Sequence, residues 1–416
     1  MSDPVQSGAP SVPLPDAVTP PPGNPRFPLF EGMRAIAALA ILVSHVTAVT
    51  GYNFTGTFGR YTSRMTIGVA LFFVISGFLL YRPFVAARFD LAPPIRIRDY
   101  LRRRALRVVP AYWLALTVLA ATVGLVGVFS SSWWTYYFFL QNYNNATVLG
   151  GIGPAWSLCV EVSFYLALPM WVLLGARISR GRPPGYGVRI EAAGLLAIAL
   201  VSLSARTISY ARAGVPTVVD TTLLGNADWF TYGMGLALVS VAATRGGAPA
   251  RVAAAVSARP WLPWGVAAIL YWILSTQLGI PAPFGGPATS LQFLEEHIFF
   301  PVIGLLLLLP AVFAPRRRSV VRAILGNRVL AWLGLISYGI FLWHDPLLVQ
   351  WIQPHFVTYR HGAVATGVFT VAASVLVAAA SYYVVERPFL RLKDRRPRAR
   401  AGPVMAAERP EAATGG

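Results

Sequence analysis

The sequence has few charged residues and almost no lysine. Only 12% of its 416 residues are charged and 56% are hydrophobic, whereas soluble domains carry about 25% charged residues. This scarcity excludes an ordinary soluble domain and indicates a chain that crosses a lipid bilayer many times. Lys393 is the single lysine, so arginine supplies nearly all of the positive charge. Arginine in place of lysine, together with abundant alanine, is typical of a GC-rich bacterial genome.

Cysteine is equally scarce. Cys159 is the only one, which excludes an intramolecular disulfide bond and a cysteine-based zinc site. The five histidines include no HxH or HExxH spacing, so we predict no bound metal. The net charge of +19 does not indicate nucleic acid as a partner, because the arginines punctuate apolar runs instead of forming one basic domain.

The apolar runs predict an all-α polytopic membrane protein with about ten transmembrane helices. The predicted spans are 32–50, 66–84, 108–129, 155–176, 188–206, 223–243, 260–280, 297–314, 330–351 and 363–384. Segment 131–150 is aromatic and polar, and we interpret it as an interfacial or re-entrant piece, with an eleventh helix as the alternative.

The arginines also predict an orientation. They concentrate in the connections after even-numbered spans, so the positive-inside rule places both termini in the cytoplasm of a multi-pass protein of the bacterial plasma membrane. Residues 1–27 are proline-rich and predict a disordered tail. Residues 28–392 form the predicted membrane domain, and 393–416 a second disordered tail, basic and then rich in Ala, Gly and Pro.

Two ionisable residues lie on one face of the first predicted span. Arg34 and His45 are eleven residues apart, which corresponds to about three helical turns and about 16 Å along the axis. Ionisable groups inside a bilayer are costly, so they usually face a cavity and serve a function.

Glu161 and His344 are predicted to lie at the depth of His45, roughly 7–11 Å below the outer boundary by residue counting. A shared depth is what a common cavity requires. The alternative is that each residue only forms an interhelical hydrogen bond. Polar or aromatic neighbours on the same helices are further candidates to line the cavity: Trp156, Ser157, Tyr165, Ser337, Tyr338 and Asp345.

His45 is the natural general base, because a neutral imidazole can accept a proton from a hydroxyl group. Either Glu161 or Asp345 could orient it. Near the opposite membrane face, Arg104 and Arg107 are spaced i, i+3 and could bind phosphate together with Arg34. The alternative for these arginines is topology determination and lipid contact.

The chain resembles acyltransferase family 3, the integral-membrane O-acyltransferases of cell-envelope polysaccharides, lipopolysaccharide and macrolide or other antibiotic sugars. Six motifs in order carry the resemblance: Arg34…His45, Gly68–Gly77, Arg104…Tyr112, Trp156…Tyr165, Ser337…His344 and Glu386…Phe389. They cover roughly 28–392. One departure is Asp345, where the family usually has an aromatic residue.

The resemblance implies transfer of a short acyl group, which we expect to be acetyl, from acyl-CoA to a carbohydrate hydroxyl. It implies His45 as the catalytic base, and Arg34, Arg104 and Arg107 as acyl-CoA-binding residues. Some members carry a fused hydrolase-like domain, and we expect this chain to act without one. We predict direct transfer, with Glu161 and His344 as further catalytic candidates and Trp156 or Tyr338 as the candidate oxyanion donor.

Two other functions stay open on the sequence. A proton-coupled transporter or flippase of a glycan or lipid-linked sugar could use His45, Glu161 and His344 as a proton relay. A non-catalytic export scaffold would use none of them. The acceptor is also open between an envelope glycan and the sugar of a secreted natural product.

Overall fold

The structure is a computed structural model that describes residues 27, 29–88, 91–148, 150–181, 184–282, 285–313, 319–356 and 362–392. Both predicted tails lie outside this part of the chain, apart from Phe27. The described residues contain no strand. Their α-helices are α1 (Leu29–Val49), α2 (Gly56–Ser63), α3 (Gly68–Arg88), α4 (Ile97–Thr122), α5 (Trp133–Tyr137), α6 (Trp156–Ile178), α7 (Pro184–Ala213), α8 (Ala227–Ala242), α9 (Gly247–Ala258), α10 (Leu262–Thr276), α11 (Ser290–Phe313), α12 (Val320–Leu325), α13 (Arg328–Leu335), α14 (Ser337–Pro346), α15 (Gln353–Phe356), α16 (Gly362–Ser381) and α17 (Arg387–Leu392).

The all-α architecture is confirmed, and each predicted span overlaps a helix. Seven helical segments of the described chain are long and apolar enough to cross a membrane: Leu29–Val49, Gly56–Arg88, Ile97–Thr122, Gly153–Ile178, Tyr186–Ala213, Ser290–Phe313 and Gly362–Leu392. An eighth span results if Arg328–Leu335 and Ser337–Ile352, which are bent by 66°, count as one. The predicted count of about ten is reached only by adding α8 and α10, which have 16 and 15 residues.

Several helices extend beyond the predicted apolar runs. Helix α4 begins at Ile97, so the arginine cluster predicted to precede the third span is itself helical. Helix α7 continues to Ala213, and α11 begins at Ser290. In each case charged residues lower the local hydropathy, although the backbone continues as a helix. The aromatic segment after α4 contains only the five-residue helix α5 and a 3₁₀ turn at Gln141–Tyr143, too short to span a membrane.

Helix α1 occupies a central position, since it contacts α3, α13, α14 and α16. Its buried face includes the small residues Ala35, Ala37 and Ala38, which let neighbouring helices approach closely. Arg34 and His45 both lie on this central helix, and their side chains are 16% and 27% exposed.

Helices α3 and α8 pack against each other more extensively than any other pair of described helices, and glycine permits this packing. A Cβ atom added to Gly77 would overlap the carbonyl oxygen of Phe230, and one added to Gly233 would overlap that of Val74. Small residues at such crossings are typical of membrane bundles, where tight van der Waals packing drives association.

The bend between α13 and α14 positions the late histidine motif. α13 ends at Leu335 and α14 starts at Ser337, with the two axes inclined by 66°. After this break α14 packs between α1 and α16. The bend therefore places His344 and Asp345 beside the first helix.

Candidate active site

His45 and His344 meet where α1 contacts α14. Nδ1 of His45 lies 3.1 Å from Nε2 of His344 and 3.2 Å from Oδ1 of Asp345. Of the two acids that the sequence leaves open as its partner, Asp345 is the one in contact with His45. Gly153 borders this acid, because a Cβ atom there would lie 3.2 Å from Oδ2 of Asp345.

The hydrogen bonds assign the tautomers of both histidines. Nδ1 of His344 lies 2.9 Å from the carbonyl oxygen of Phe341 and 3.1 Å from that of Ile340. A carbonyl only accepts, so this nitrogen carries the hydrogen. His344 is fully buried, which favours its neutral form, with a lone pair on Nε2. His45 therefore donates from Nδ1, and the lone pair of its own ring is on Nε2.

A cavity of about 80 Å³ lies towards the Arg34 end of α1, and we call it the arginine cavity. Three arginines line it, Arg34, Arg104 and Arg107, the set that the sequence analysis names as candidates to bind phosphate together. Arg34 is paired with Glu31 at 3.1 Å. Nε of Arg104 is buried and has no hydrogen-bond partner within the described part of the chain.

Other predicted residues line the arginine cavity as well: Ser157, Glu161, Tyr165, Ser337 and Tyr338. Glu161 thus shares a cavity with the arginines, although its predicted depth matched that of His45. It accepts a hydrogen bond of 2.5 Å from the hydroxyl of Ser76, a residue that the sequence analysis missed. The signal was present, since Ser76 is a lone hydroxyl in an apolar run of α3.

Three side chains of α6 have the chemistry of a nucleophile, and each is either hydrogen-bonded to a backbone carbonyl or buried. Ser157 donates to the carbonyl of Pro154 at 3.1 Å, and Ser163 donates to the carbonyl of Cys159 at 2.9 Å. Cys159 itself is 1% exposed. The hydroxyl of Tyr338, one of the two predicted oxyanion donors, already donates to the carbonyl of Val108 at 2.9 Å. Trp156 is the other predicted oxyanion donor.

A second cavity, of about 260 Å³, lies at the His45 end, and we call it the aromatic cavity. Its lining consists of Ile41, His45, Thr66, Val69, Trp156, Arg206, Trp229, Phe293, Glu296, His297 and Phe300. Val69 also lines the arginine cavity. The two cavities are therefore neighbours, with Arg34 on one and His45 on the other.

Sequence analysis missed the polar residues of the aromatic cavity, Arg206, Glu296 and His297. They lie inside α7 and α11. One predicted span ends at Arg206 and another begins at His297, so the sequence analysis treated this region as the ends of spans. Asp228, which lies 2.9 Å from His297, was missed as well. Among the described residues, no group of three or more His, Cys, Asp or Glu side chains is placed to bind a metal ion.

Comparison with known families identifies the family of the chain. The family model described as "Acyltransferase domain" matches residues 28–384. The chain belongs to this acyltransferase family. Its apolar helices and its membership together make it a multi-pass integral membrane protein.

Two of the proteins that are similar to this chain in sequence come from bacteria. The Listeria monocytogenes peptidoglycan O-acetyltransferase OatA is 23% identical over 383 residues, covering 87% of this chain and 55% of OatA. The Bacillus subtilis protein named "Putative peptidoglycan O-acetyltransferase YrhL" is 24% identical over 381 residues, covering 87% of this chain and 54% of YrhL. This member of the acyltransferase family thus spans about half the length of these relatives. No solved structure matches the chain.

Proposed function

We propose that the protein is a membrane O-acyltransferase that transfers an acyl group, acetyl in the first instance, from acyl-CoA to a carbohydrate hydroxyl, with His45 as the general base. The observation that carries this proposal is the pairing of His45 Nδ1 with Asp345 and His344. This pairing leaves the lone pair of Nε2 for the acceptor, as general-base catalysis requires.

The proposed reaction needs only the acyl-CoA, the acceptor hydroxyl, His45 and Asp345. The acceptor hydroxyl gives its proton to Nε2 of His45 while its oxygen forms a bond to the acyl carbon. The carbon–sulfur bond then breaks, and the imidazolium returns the proton to the departing thiolate. The products are the sugar ester and free coenzyme A. The carboxylate of Asp345 stabilises the imidazolium between these steps, as acids do in other acid–histidine pairs.

The positive charge of the arginine cavity suits acyl-CoA, the proposed donor. Three arginines and one glutamate line it, which leaves two formal positive charges in excess before the Arg34–Glu31 pair is considered. Coenzyme A carries several phosphate groups, which arginine binds through bidentate hydrogen bonds. The unpartnered Nε of Arg104 is a donor that such a ligand would satisfy.

The acyl group would pass Val69, which lines both cavities. The predicted orientation puts the arginine cavity on the cytoplasmic side, where acyl-CoA is made. Direct transfer is supported by the internal hydrogen bonds of Ser157 and Ser163 and by the burial of Cys159. A stable radioactive label on the denatured protein after incubation with labelled acetyl-CoA would contradict direct transfer.

The names of the relatives guide the choice of acceptor. Both are named for O-acetylation of peptidoglycan, so a cell-wall glycan is the acceptor class that we propose. Glycosylated natural products belong in the same acceptor panel, because both classes present sugar hydroxyls.

The decisive experiment measures thiol release from acetyl-CoA by the purified protein in detergent, with and without acceptors. We expect acceptor-dependent release, reduced about 10²–10⁴-fold in His45→Ala. Val364→Ala serves as the control, since Val364 is 81% exposed. Release that His45→Ala leaves unchanged would move the base elsewhere. Gradient-driven uptake of a sugar without thiol release would favour a transporter.

A further inference from the structure

The lining of the aromatic cavity includes His297, one nitrogen of which lacks a hydrogen-bond partner in the described part of the chain. His297 is 2% exposed, and its Nε2 lies 2.9 Å from Oδ2 of Asp228. A carboxylate only accepts, so Nε2 carries the hydrogen and the neutral ring has its lone pair on Nδ1. Nδ1 is buried and has no hydrogen-bond partner among the described residues. A buried acceptor needs a partner, which a water molecule or a bound ligand can supply.

The orientation of His297 is fixed by its surroundings. Asp228 also accepts a hydrogen bond of 3.0 Å from Ser202, which holds the carboxylate against the ring. Trp229 lies over His297 with ring centroids 4.8 Å apart, and its indole donates to the His297 carbonyl at 3.0 Å. The free nitrogen is therefore held in place by helices α7, α8 and α11.

A complementary donor lines the same cavity. Nε of Arg206 is buried and has no partner within the described residues, although another nitrogen of its guanidinium lies 3.6 Å from Asp220. Its guanidinium carbon sits 4.6 Å from the centroid of Phe293, which restrains it. One unpaired acceptor and one unpaired donor suit a sugar, whose hydroxyl groups both donate and accept.

The charge and the shape of the aromatic cavity suit an uncharged sugar ring. Arg206 and Glu296 are the two formally charged groups of the lining, and their charges cancel, in contrast to the excess positive charge of the arginine cavity. Trp156, Trp229 and Phe293 give the lining an aromatic character, and aromatic side chains pack well against the apolar face of a pyranose. The volume of about 260 Å³ is close to the lower end of the roughly 300–1,000 Å³ range of small-molecule sites.

We propose that the aromatic cavity is the acceptor subsite and binds one neutral pyranose unit. Nδ1 of His297 accepts a hydrogen bond from one hydroxyl group, Nε of Arg206 donates to an oxygen, and a further hydroxyl is presented to His45. This assignment rests on the proposed acyltransferase function. It makes His297 and Arg206 determinants of acceptor affinity, while the donor binds from the neighbouring cavity.

Kinetics with an N-acetylglucosamine trisaccharide and acetyl-CoA test the assignment. His297→Phe and Arg206→Gln are each expected to raise the KM for the sugar at least tenfold and to leave the KM for acetyl-CoA within twofold. An unchanged KM for the sugar in both variants would overturn the subsite. Absence of acetyl-CoA-dependent transfer in the wild type to this sugar and to every other acceptor in the panel would overturn the proposed function itself.

Cysteine protection tests the subsite without relying on turnover, and it remains informative if a kinetic variant fails to fold. In a Cys159→Ala background, Thr66→Cys reports on the aromatic cavity and Leu79→Cys on the arginine cavity. The sugar, at a concentration that saturates transfer, should slow maleimide labelling of Thr66→Cys, and coenzyme A should slow that of Leu79→Cys. Protection of Leu79→Cys by the sugar, or no protection of Thr66→Cys, would contradict the proposal.

Discussion

The imidazole rings of His45 and His344 are stacked, with centroids 5.0 Å apart and planes inclined by 29°. Nδ1 of His45 and Nε2 of His344 lie 3.1 Å apart, within hydrogen-bond distance. We expect His344 to act as a positioning residue, because this hydrogen bond fixes which nitrogen of His45 carries the lone pair.

We predict that His344→Phe lowers kcat and leaves both KM values unchanged. Loss of one neutral hydrogen bond is worth about 0.5–1.5 kcal/mol, or roughly 2–12-fold in rate. His344→Gln retains an acceptor oxygen and should restore part of the loss. Equal kcat values in the two variants would show that the hydrogen bond does not position His45.

Arg104→Lys should weaken donor binding, since lysine cannot reproduce the Nε donor or the planar fork of arginine. A lost hydrogen bond to a charged group costs about 1.5–3 kcal/mol, so the KM for acetyl-CoA should rise about 10–150-fold. Arg102→Lys is the matched control, because Arg102 is exposed and donates to the Leu392 carbonyl. Similar KM values for the two variants would argue against a phosphate site in the arginine cavity.

Val69→Trp should block passage between the two cavities. We expect acetyl-CoA to bind normally while transfer to the sugar falls at least tenfold, because the indole would fill the region that both cavities share. Val69→Ala keeps this region open and should retain activity. Binding is measured by isothermal titration and transfer by thiol release, with thermal unfolding as the check on folding. Full transfer by a folded Val69→Trp protein would require another route.

Gly77→Ala should destabilise the fold, since the new methyl group would overlap the carbonyl oxygen of Phe230. Overpacking of this kind costs about 1–3 kcal/mol, which should be visible as a lower Tm in detergent. Gly235→Ala is the control on the partner helix, because a Cβ atom there meets nothing within 4 Å. A Gly77→Ala protein as stable as the wild type would show that α3 and α8 can separate without cost.

The sequence predicts the helices well, because long apolar runs mark them. Spacing along one helix is also predictable: Arg34 and His45 are eleven residues apart, and each lines a different cavity. The direction that a side chain faces is harder to predict, because it depends on which helices become neighbours. Glu161 was predicted to share a cavity with His45 but lines the arginine cavity, and Asp345 is the acid that contacts His45.

Charged residues near helix ends explain most of the other differences between the sequence predictions and the structure. Hydropathy treats Arg206 and Glu296 as the limits of apolar runs, so the aromatic cavity could not be anticipated from their sequence positions. Their partners come from distant segments: Arg64 lies 3.0 Å from Glu296, and Asp220 pairs with Arg206. The bend between Leu335 and Ser337 comes directly after Gly334, but a single glycine in a helical run does not by itself predict a bend.

The spacing of Arg34 and His45 on one helix has a consequence for donor choice. A helix is stiff, and eleven residues fix about 16 Å between the two positions. If the proposed function holds, this helix sets a minimum length for the donor, because a thioester would reach His45 only if its arm spans that length while its phosphates stay with the arginines. Short activated donors such as acetyl phosphate would bind at one end and fail to react at the other. Selection among donors would then depend on a backbone dimension, which no single side-chain substitution alters.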